Sequence, residues 1–302
     1  MENCLIALVR EKENQVMTAK WVSEELYEGW RQQFRIRKEL VHTKSPFQDI
    51  MVCESEEFGR VLFLDGVVQI TEKDEFVYQE MLSHVPLIAH GKAENVLIVG
   101  AGDGGVLRRV LQHSTVKKAD MVEIDGEVIE ISKKYLPTIA GQAWSDPRAN
   151  VIVGDGVAHV KQAGNGVYDV IIVDSTDPIG VGEVLFTDEF YENCARILSE
   201  YGLIVNQCGV PFLQADELRE TSQRRKKFFP YVSAYCAAVP TYIGGFMTLG
   251  VASKNPAGLE VSLQTLKERA NQAGLEGKTR YWTPALHRAA FVLPPYIAEQ
   301  LP

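Results

Sequence analysis

The 302-residue sequence is poor in cysteine and has no paired cysteine motif. Its five cysteines are scattered and odd in number, at Cys4, Cys53, Cys194, Cys208 and Cys236. Because no two of them form a Cys-x-x-Cys pair, the sequence indicates neither a disulfide framework nor a zinc site. We therefore expect a reducing, cytoplasmic location and no bound metal.

Long apolar runs and an excess of positive charge are also missing. The apolar run from Leu5 to Val9 is too short for a signal-peptide core, and no uninterrupted run approaches the roughly 18 residues of a membrane span. We therefore expect no membrane anchor. The formal net charge is −9, and phosphate binding needs a basic surface. Nucleic acid is thus not expected as a partner, whereas a cationic ligand such as a polyamine would be attracted.

The first quarter of the chain has the pattern of short strands joined by turns. Strand-like runs cover 34–44, 48–55 and 59–71, and the last has Asp65–Gly66 at the position of a hairpin tip. This predicts a small antiparallel β-domain over residues 1–74. From Phe76 onward apolar residues recur at helical spacing, and we expect that helix to end at Pro86.

Strand and helix patterns alternate in the remainder, residues 75–302. Strand-like segments read "NVLIVG", "ADMVEID", "NVIVGDG", "YDVIIVDSTDP" and "GLIVNQ", with helical segments between them. Such alternation predicts an α/β fold, a Rossmann-like parallel sheet covered by helices on both faces. Two further runs, "VSAYCAAVP" and "FMTLGVAS", are expected to extend the same sheet at one edge.

Acidic residues follow these strands where each one ends, at Asp103, Glu123, Asp155, Asp174 and Asp177. Ligands of open α/β sheets bind beyond the carboxyl ends of the strands, so these carboxylates should surround one crevice. Each also has a structural alternative. Asp103 could cap the following helix, and Glu123 could be a solvated acid at the end of a strand. Asp155 could form a turn before glycine, and Asp174 with Asp177 could form an Asx-turn before Pro178.

The turn after the first of these strands is rich in glycine. Gly100, Gly102 and Gly105 lie between a strand and a helix, and Glu123 follows about 20 residues later, which is typical of nucleoside binding with the acid on the ribose. A ring of acids disfavours a pyrophosphate, since like charges repel an anion. It suits a nucleoside that carries a cationic group, such as a sulfonium compound, together with an amine.

The chain closely resembles the polyamine aminopropyltransferases, and most closely the bacterial spermidine synthases. The resemblance rests on the motifs "QDI", "FGRVLFLDGVVQITEKDEFVYQEML", "VLIVGAGDGGVLR", "MVEID", "GDG", "DSTDPIG", "VPTYIGG" and "LHRAAFVLP". It implies a small N-terminal β-domain before a Rossmann-like, methyltransferase-type domain. It also implies transfer of the aminopropyl group of decarboxylated S-adenosylmethionine, a co-substrate, to a diamine, usually putrescine, with no metal and no further cofactor.

The resemblance assigns the nucleoside side of the site by motif. Asp103 would bind the amine of the aminopropyl group, Glu123 the ribose and Asp155 the adenine amino group. Gln48 and Gln79 would position the nucleoside and its aminopropyl tail. The glycines of this side are Gly100, Gly102 and Gly156.

The resemblance assigns the amine side in the same way. Asp174 corresponds to the catalytic base, and Tyr78 would share its hydrogen bond. Tyr78 would also line the diamine tunnel, together with Gln69, Asp177 and Tyr242. A homodimer or homotetramer formed through the N-terminal region is implied as well.

Two positions depart from the family pattern. Val181 stands where the motif usually has proline, in the loop expected to gate the site. Gly209 stands where some relatives carry a glutamate, two residues after the glutamine of the fifth strand. Residues 1–20 show no clear match, and the choice among putrescine, cadaverine, agmatine and spermidine stays open.

Three other functions fit parts of the pattern. An S-adenosylmethionine-dependent methyltransferase has the same fold, but its loop must accept a carboxylate, which Asp103 opposes. A non-catalytic polyamine-binding module would not need both Asp174 and Tyr78. A nicotinamide dehydrogenase would place its pyrophosphate in the acidic crevice.

Overall fold

The first of two β-sheets is formed by the N-terminal part of the chain. The computed structural model describes residues 20–175, 180–256 and 259–302. The first sheet has five antiparallel strands in chain order, β1 Lys20–Ser23, β2 Gln33–Lys44, β3 Asp49–Ser55, β4 Arg60–Leu64 and β5 Val67–Thr71. Asp65 and Gly66 join β4 to β5 with φ of 48° and 77°, as a type I′ turn requires. The predicted antiparallel module and its hairpin are confirmed.

The second sheet has seven strands in the order β11-β12-β10-β9-β6-β7-β8. Their bounds are β6 Asn95–Gly100, β7 Lys118–Glu123, β8 Ala149–Val153, β9 Tyr168–Asp174, β10 Leu198–Gln207, β11 Tyr231–Ala237 and β12 Met247–Ser253. Strands β6 to β10 are parallel, which confirms the predicted Rossmann-like α/β fold.

The sheet is mixed, because β12 runs antiparallel to both β10 and β11. Residues 238–246, which connect β11 to β12, are fewer than the dozen or so that a parallel crossover needs. The edge position predicted for these two strands is confirmed.

Helices cover both faces of the second sheet. They are α1 Glu75–His90, α2 Gly105–Leu111, α3 Gly126–Tyr135, α4 Pro137–Ala140, α5 Gly156–Gln162, α6 Asp188–Ile197, α7 Pro211–Lys226, α8 Leu263–Gln272, α9 Pro284–Ala290 and α10 Pro295–Ala298. Two short 3₁₀ helices span Ala143–Ser145 and Gly180–Phe186. Alternate side chains of β6 enter different cores: Val96 and Ile98 on one face, Leu97 and Val99 on the other. Because both faces are buried, the parallel strands read as continuous apolar runs.

Helix α1 does not end at Pro86 as expected but continues to His90, where Gly91 closes it in a left-handed conformation. Pro86 has no N–H to donate to the carbonyl of Leu82. In the same turn the Tyr235 hydroxyl donates to the Met81 carbonyl at 3.0 Å. The buried packing of α1 therefore outweighs the helix-breaking tendency of one proline.

None of the helices in the described part of the chain is both long and apolar enough to span a membrane.

Three histidines are buried in the core beside α1. His84 Nδ1 lies 2.9 Å from His113 Nε2, and Trp282 lies between His84 and His287 in edge contact with both rings. Burial lowers the pKa of His113 and of His287 from 6.5 to about 3, and it lowers the pKa of His84 well below 6.5. The three rings are therefore neutral in the native protein at neutral pH.

We predict that acid weakens the fold through these histidines. As pH falls below 6.5, the unfolded chain binds a proton on each of these histidines while the native chain does not. The free energy of unfolding therefore falls between pH 6.5 and about 3. The expected slope is about 1.4 kcal/mol per histidine and pH unit. Denaturant midpoints measured from pH 7 to 4 should show this slope. The slope should be shallower in His287→Phe and unchanged in Gln272→Ala, a control at an exposed residue that does not titrate. Equal slopes in the wild type and His287→Phe would contradict the assignment.

Candidate active site

A cavity of about 500 Å³ lies between the two sheets. One wall is formed by β4, β5 and their hairpin, and the other by the carboxyl ends of β6, β7, β9 and β10. The predicted acids Asp103, Glu123, Asp155 and Asp174 all line it. The sheet topology thus brings together residues that are far apart in the sequence, as strand-end positions predict.

The glycine-rich loop is shaped by a close approach between β6 and β9. Gly100 has φ of 85°, and a Cβ there would collide with the backbone carbonyl of Asp174. The Ala101 N–H donates to that carbonyl at 3.0 Å. Because Gly100 has no side chain, the loop can lie directly against the end of β9, which fixes Asp103 and Asp174 in one pocket.

Asp103 holds the start of α2 and faces the cavity at the same time. Its Oδ1 accepts hydrogen bonds from the Gly105 N–H at 2.6 Å and from Gln79 Nε2 at 3.2 Å. The cap residue of α2 is Gly104, and Asp103 precedes it. Its carboxylate therefore accepts a backbone N–H of the first helical turn from one position before the cap. Burial, and next the neighbouring Asp174, raise the pKa of Asp103 well above 3.8. The two roles foreseen for Asp103 are geometrically compatible.

Asp174 is hydrogen-bonded to Tyr78, which reaches it from α1. The Tyr78 hydroxyl donates to Asp174 Oδ1 at 2.7 Å. Burial raises the pKa of Asp174 from 3.8 to about 6, and the hydrogen bond from Tyr78 opposes this rise. Burial and the nearby carboxylate raise the pKa of Tyr78 well above 10, so the phenol remains a neutral donor. Asp174 can therefore bind a proton near neutral pH.

Two further predicted residues, Gln69 and Tyr242, lie beside Tyr78 in the cavity wall. The ring of Tyr242 packs edge-on against Tyr78 with 5.6 Å between centroids, and its hydroxyl donates to the Gln69 carbonyl at 2.6 Å. Both Gln69 and Tyr242 line the cavity. Asp177 lies outside the described residues.

At the opposite side of the cavity, Glu123 ends β7 and is buried. Its Oε1 accepts from the Asp125 N–H at 2.9 Å, while burial raises the pKa of Glu123 to about 7. Asp155 is exposed, and its Oδ1 accepts from Val157 N–H at 2.8 Å at the start of α5. The predicted turn geometry at Asp155 is therefore present, and the side chain lines the cavity as well.

Asp125 supports the site but was not predicted to do so. Its Oδ2 accepts from Gln48 Nε2 at 2.8 Å and from Ser45 Oγ at 2.7 Å, and its Oδ1 caps α3. These bonds tie the loop before β3 to the end of β7, and they fix the amide of Gln48, which lines the cavity. The available signal was an aspartate directly before a helix, which indicates a cap and nothing more.

Gln79 lies deeper than the other predicted site residues, and its role in positioning the nucleoside and its aminopropyl tail stays a prediction. It is 1% exposed and lies behind Asp103, to which it donates, rather than on the cavity wall. A contact with a bound nucleoside would therefore be made through Asp103. Gly100, Gly102 and Gly156 do line the cavity, as predicted.

A mixed Rossmann-like sheet with an acid-lined, nucleoside-sized cavity at its strand ends defines a class of nucleoside-binding α/β proteins. Comparison with known proteins narrows this class. Residues 75–263 match the family model of the spermine/spermidine synthase domain, and residues 20–72 match that of the spermidine synthase tetramerisation domain. The chain belongs to the spermine/spermidine synthase family and is an enzyme of the polyamine aminopropyltransferase type.

Similar proteins match over nearly their whole length. The polyamine aminopropyltransferase of Ruegeria sp. (strain TM1040) is 47% identical over 282 residues, 93% of this chain and 98% of that protein. That of Pectobacterium carotovorum subsp. carotovorum (strain PC1) is 48% identical over 278 residues, 92% and 96% of the two chains.

Two solved structures are also similar. A spermidine synthase in complex with the transition-state analogue AdoDATO superposes with a TM-score of 0.87 at 34% identity, covering 96% of this chain and 99% of that one. The spermidine synthase of Thermotoga maritima gives a TM-score of 0.86 at 34% identity, with 95% and 96% covered.

We predict that Tyr78→Phe moves the acidic limb of the pH–rate profile upward. Loss of the hydrogen bond removes the contact that opposes the rise in the pKa of Asp174, so the limb should move from about 6 in the wild type to a higher pH. The measurement is kcat/KM for aminopropyl transfer from pH 5 to 9, with exposed Tyr201→Phe as the control. An unchanged limb in Tyr78→Phe would show that this hydrogen bond does not tune Asp174.

Proposed function

We propose that this aminopropyltransferase is a spermidine synthase, which transfers the aminopropyl group of decarboxylated S-adenosylmethionine to putrescine and releases spermidine and methylthioadenosine. The observation that carries the proposal is the placement of the Tyr78–Asp174 pair beside Asp103 in one cavity. Such a cavity offers a cation site and a proton acceptor next to each other. The similar spermidine synthase structures support the same substrate pair.

The reaction is a direct displacement at carbon. The amine nitrogen forms a bond to the carbon next to the sulfonium, and the carbon–sulfur bond breaks with its electron pair going to sulfur. The neutral thioether leaves without a proton, so the step needs no metal to stabilise a leaving group. The obstacle is the attacking amine, because removing its proton at pH 7 costs about 4 to 5 kcal/mol for a pKa of about 10.4.

Asp174 removes this proton from the attacking amine as the general base. With its pKa near 6 the carboxylate is mostly ionised at neutral pH, yet it is a stronger base than an ordinary aspartate. Tyr78 fixes Oδ1 through its hydrogen bond and thereby orients the second oxygen toward the amine. Alignment of nitrogen, carbon and sulfur in a narrow tunnel supplies the rest of the rate enhancement.

Asp103 selects the charge of the aminopropyl donor. In S-adenosylmethionine a carboxylate would face Asp103, whereas after decarboxylation only the ammonium remains. Burial favours the neutral form of Asp103, and an ammonium at contact distance restores its charge. The loop therefore repels S-adenosylmethionine and attracts decarboxylated S-adenosylmethionine.

The other roles are proposed on the same basis. Glu123 would bind the ribose, Asp155 the adenine amino group, and Gln48 the nucleoside, beside Gly100, Gly102 and Gly156. The diamine would lie along Gln69, Tyr78 and Tyr242, with Asp177 beyond them. Decarboxylated S-adenosylmethionine is a co-substrate, and no other cofactor is proposed.

The proposed assembly is a homodimer or homotetramer in the cytoplasm. The match of residues 20–72 to the tetramerisation-domain model supports an oligomer. The acidic net charge supports small cationic substrates rather than nucleic acid.

We predict that Asp174→Asn binds the nucleoside but loses about 10²- to 10⁴-fold in turnover, the usual contribution of a general base. Binding of methylthioadenosine by calorimetry and steady-state formation of spermidine measure the two effects separately. Asp188→Asn, which removes an exposed partner of Lys227, is the matched control and should behave as wild type. Near-normal turnover of Asp174→Asn would remove Asp174 from the base role.

We predict that Asp103→Asn lowers the preference for the decarboxylated nucleoside by about tenfold or more, the value of one charge-assisted hydrogen bond. Competition of S-adenosylmethionine against the decarboxylated compound gives the ratio for each variant. Equal affinities of the wild type for the two compounds would contradict this role of Asp103.

A further inference from the structure

Helix α1 carries two side chains that contact the acids of the site. The Tyr78 hydroxyl donates to Asp174 Oδ1 at 2.7 Å, and Gln79 Nε2 donates to Asp103 Oδ1 at 3.2 Å. The two acids belong to other elements, because Asp103 precedes α2 and Asp174 ends β9. Both hydrogen bonds therefore depend on where α1 lies against its neighbours.

One buried cation of α2 contacts this part of α1 at two points. Arg109 Nη2 donates to Oε1 and Oε2 of Glu75 at 3.0 and 2.8 Å, and Arg109 Nη1 lies 3.9 Å from Glu80 Oε1. Glu75 and Glu80 flank Tyr78 and Gln79 in the sequence. The side chains of Arg109, Glu75 and Glu80 are 3%, 7% and 0% exposed, so salt screens their attraction little.

Further contacts hold the same part of α1. Gly105 of α2 lies directly against Gln79, because a Cβ at residue 105 would collide with the Gln79 amide. Arg109 follows Gly105 by one helical turn and lies on the same face of α2. Glu80 also accepts from the backbone N–H groups of residues 280–282 at 2.8 to 3.1 Å. These contacts together oppose both sliding and rotation of α1.

An ion pair fixes the position of a helix more strictly than apolar packing does. Apolar attraction is non-directional, whereas a guanidinium and a carboxylate bind in a defined geometry. Stability alone does not explain a buried ion pair, since apolar residues of similar volume often stabilise a fold as well or better. Position matters in an active site, where a displacement of about 1 Å can cost about 10²-fold in rate.

We propose that Arg109 is a positioning residue of this enzyme, which holds α1 in the place where Tyr78 can donate to Asp174. Arg109 acts through its contacts with Glu75 and Glu80, and it does not line the cavity. This inference rests on the proposed function, because it depends on the role of Asp174 as the base.

The test removes both partners of the ion pair at once, in a double variant that combines Glu75→Leu with Arg109→Met. Neither partner is then left as an unpaired buried charge, so the fold should be retained, and thermal unfolding checks this. Glu80 keeps its backbone donors. We expect kcat/KM for aminopropyl transfer to fall about tenfold to 10²-fold, and the acidic limb of the pH–rate profile to move upward as in Tyr78→Phe.

Three single variants complete the comparison. Arg109→Lys should lie between the wild type and the double variant, because lysine keeps the charge but not the planar fork. Glu75→Gln removes the charge at nearly constant volume; its acidic limb should also move upward, and it decides the question if the double variant does not fold. Arg219→Met removes a 44% exposed cation that pairs with Asp216 on α7, and it should behave as wild type.

The Tyr78→Phe background separates positioning from electrostatics. Burial, then Asp174 and then Glu75 raise the pKa of Asp103, so loss of Glu75 also acts on the site through charge. That effect does not pass through Tyr78 and would move the acidic limb equally in both backgrounds. Positioning acts through Tyr78, so adding Glu75→Leu and Arg109→Met to Tyr78→Phe should move the limb much less than the same pair does in the wild type.

The outcomes separate this inference from the proposed function. If the wild type makes spermidine but the double variant, or Glu75→Gln in its place, keeps the wild-type acidic limb, the positioning role of Arg109 is wrong and the function stands. The same holds if the limb moves equally in both backgrounds. If the wild type transfers aminopropyl groups to none of the diamines, the proposed function fails and the role of Arg109 fails with it.

Discussion

Burial of several carboxylates in one cavity is the constraint on which the rest of the site depends. Asp103, Glu123 and Asp174 are held together by the close approach of β6 and β9 and by hydrogen bonds from backbone and Tyr78. Burial raises the pKa of each of the three. Burial disfavours the charged form of these carboxylates, and a cation beside them favours it, so charge selection and base strength have the same physical origin.

The fold supports this arrangement by placing rigid elements on every side of the cavity. Strand ends carry Glu123 and Asp174, helix α1 carries Tyr78, and the N-terminal sheet closes the cavity from the other side. Gln48 of the N-terminal domain is hydrogen-bonded to Asp125, which follows β7, and Tyr27 of the same domain is hydrogen-bonded to Gln214 in α7. The N-terminal sheet is therefore part of the site, beyond any role in assembly.

Much of this could be predicted from the sequence because strand ends are local signals. Apolar runs located the strands, and the acid after each run located the cavity wall. Three features were not accessible in this way. The continuation of α1 through Pro86 and the antiparallel edge depend on tertiary packing and connection length. The bend of α7 at Gln214 is not indicated by any local pattern.

The central claim is that the cavity joins a decarboxylated sulfonium nucleoside to a diamine. The most direct measurement incubates the enzyme with decarboxylated S-adenosylmethionine and putrescine, cadaverine, agmatine or spermidine, and identifies the products by mass. The expected result is methylthioadenosine together with an aminopropylated amine, with putrescine converted to spermidine most rapidly. Absence of aminopropylated product, or a methylated amine formed from S-adenosylmethionine instead, would contradict it.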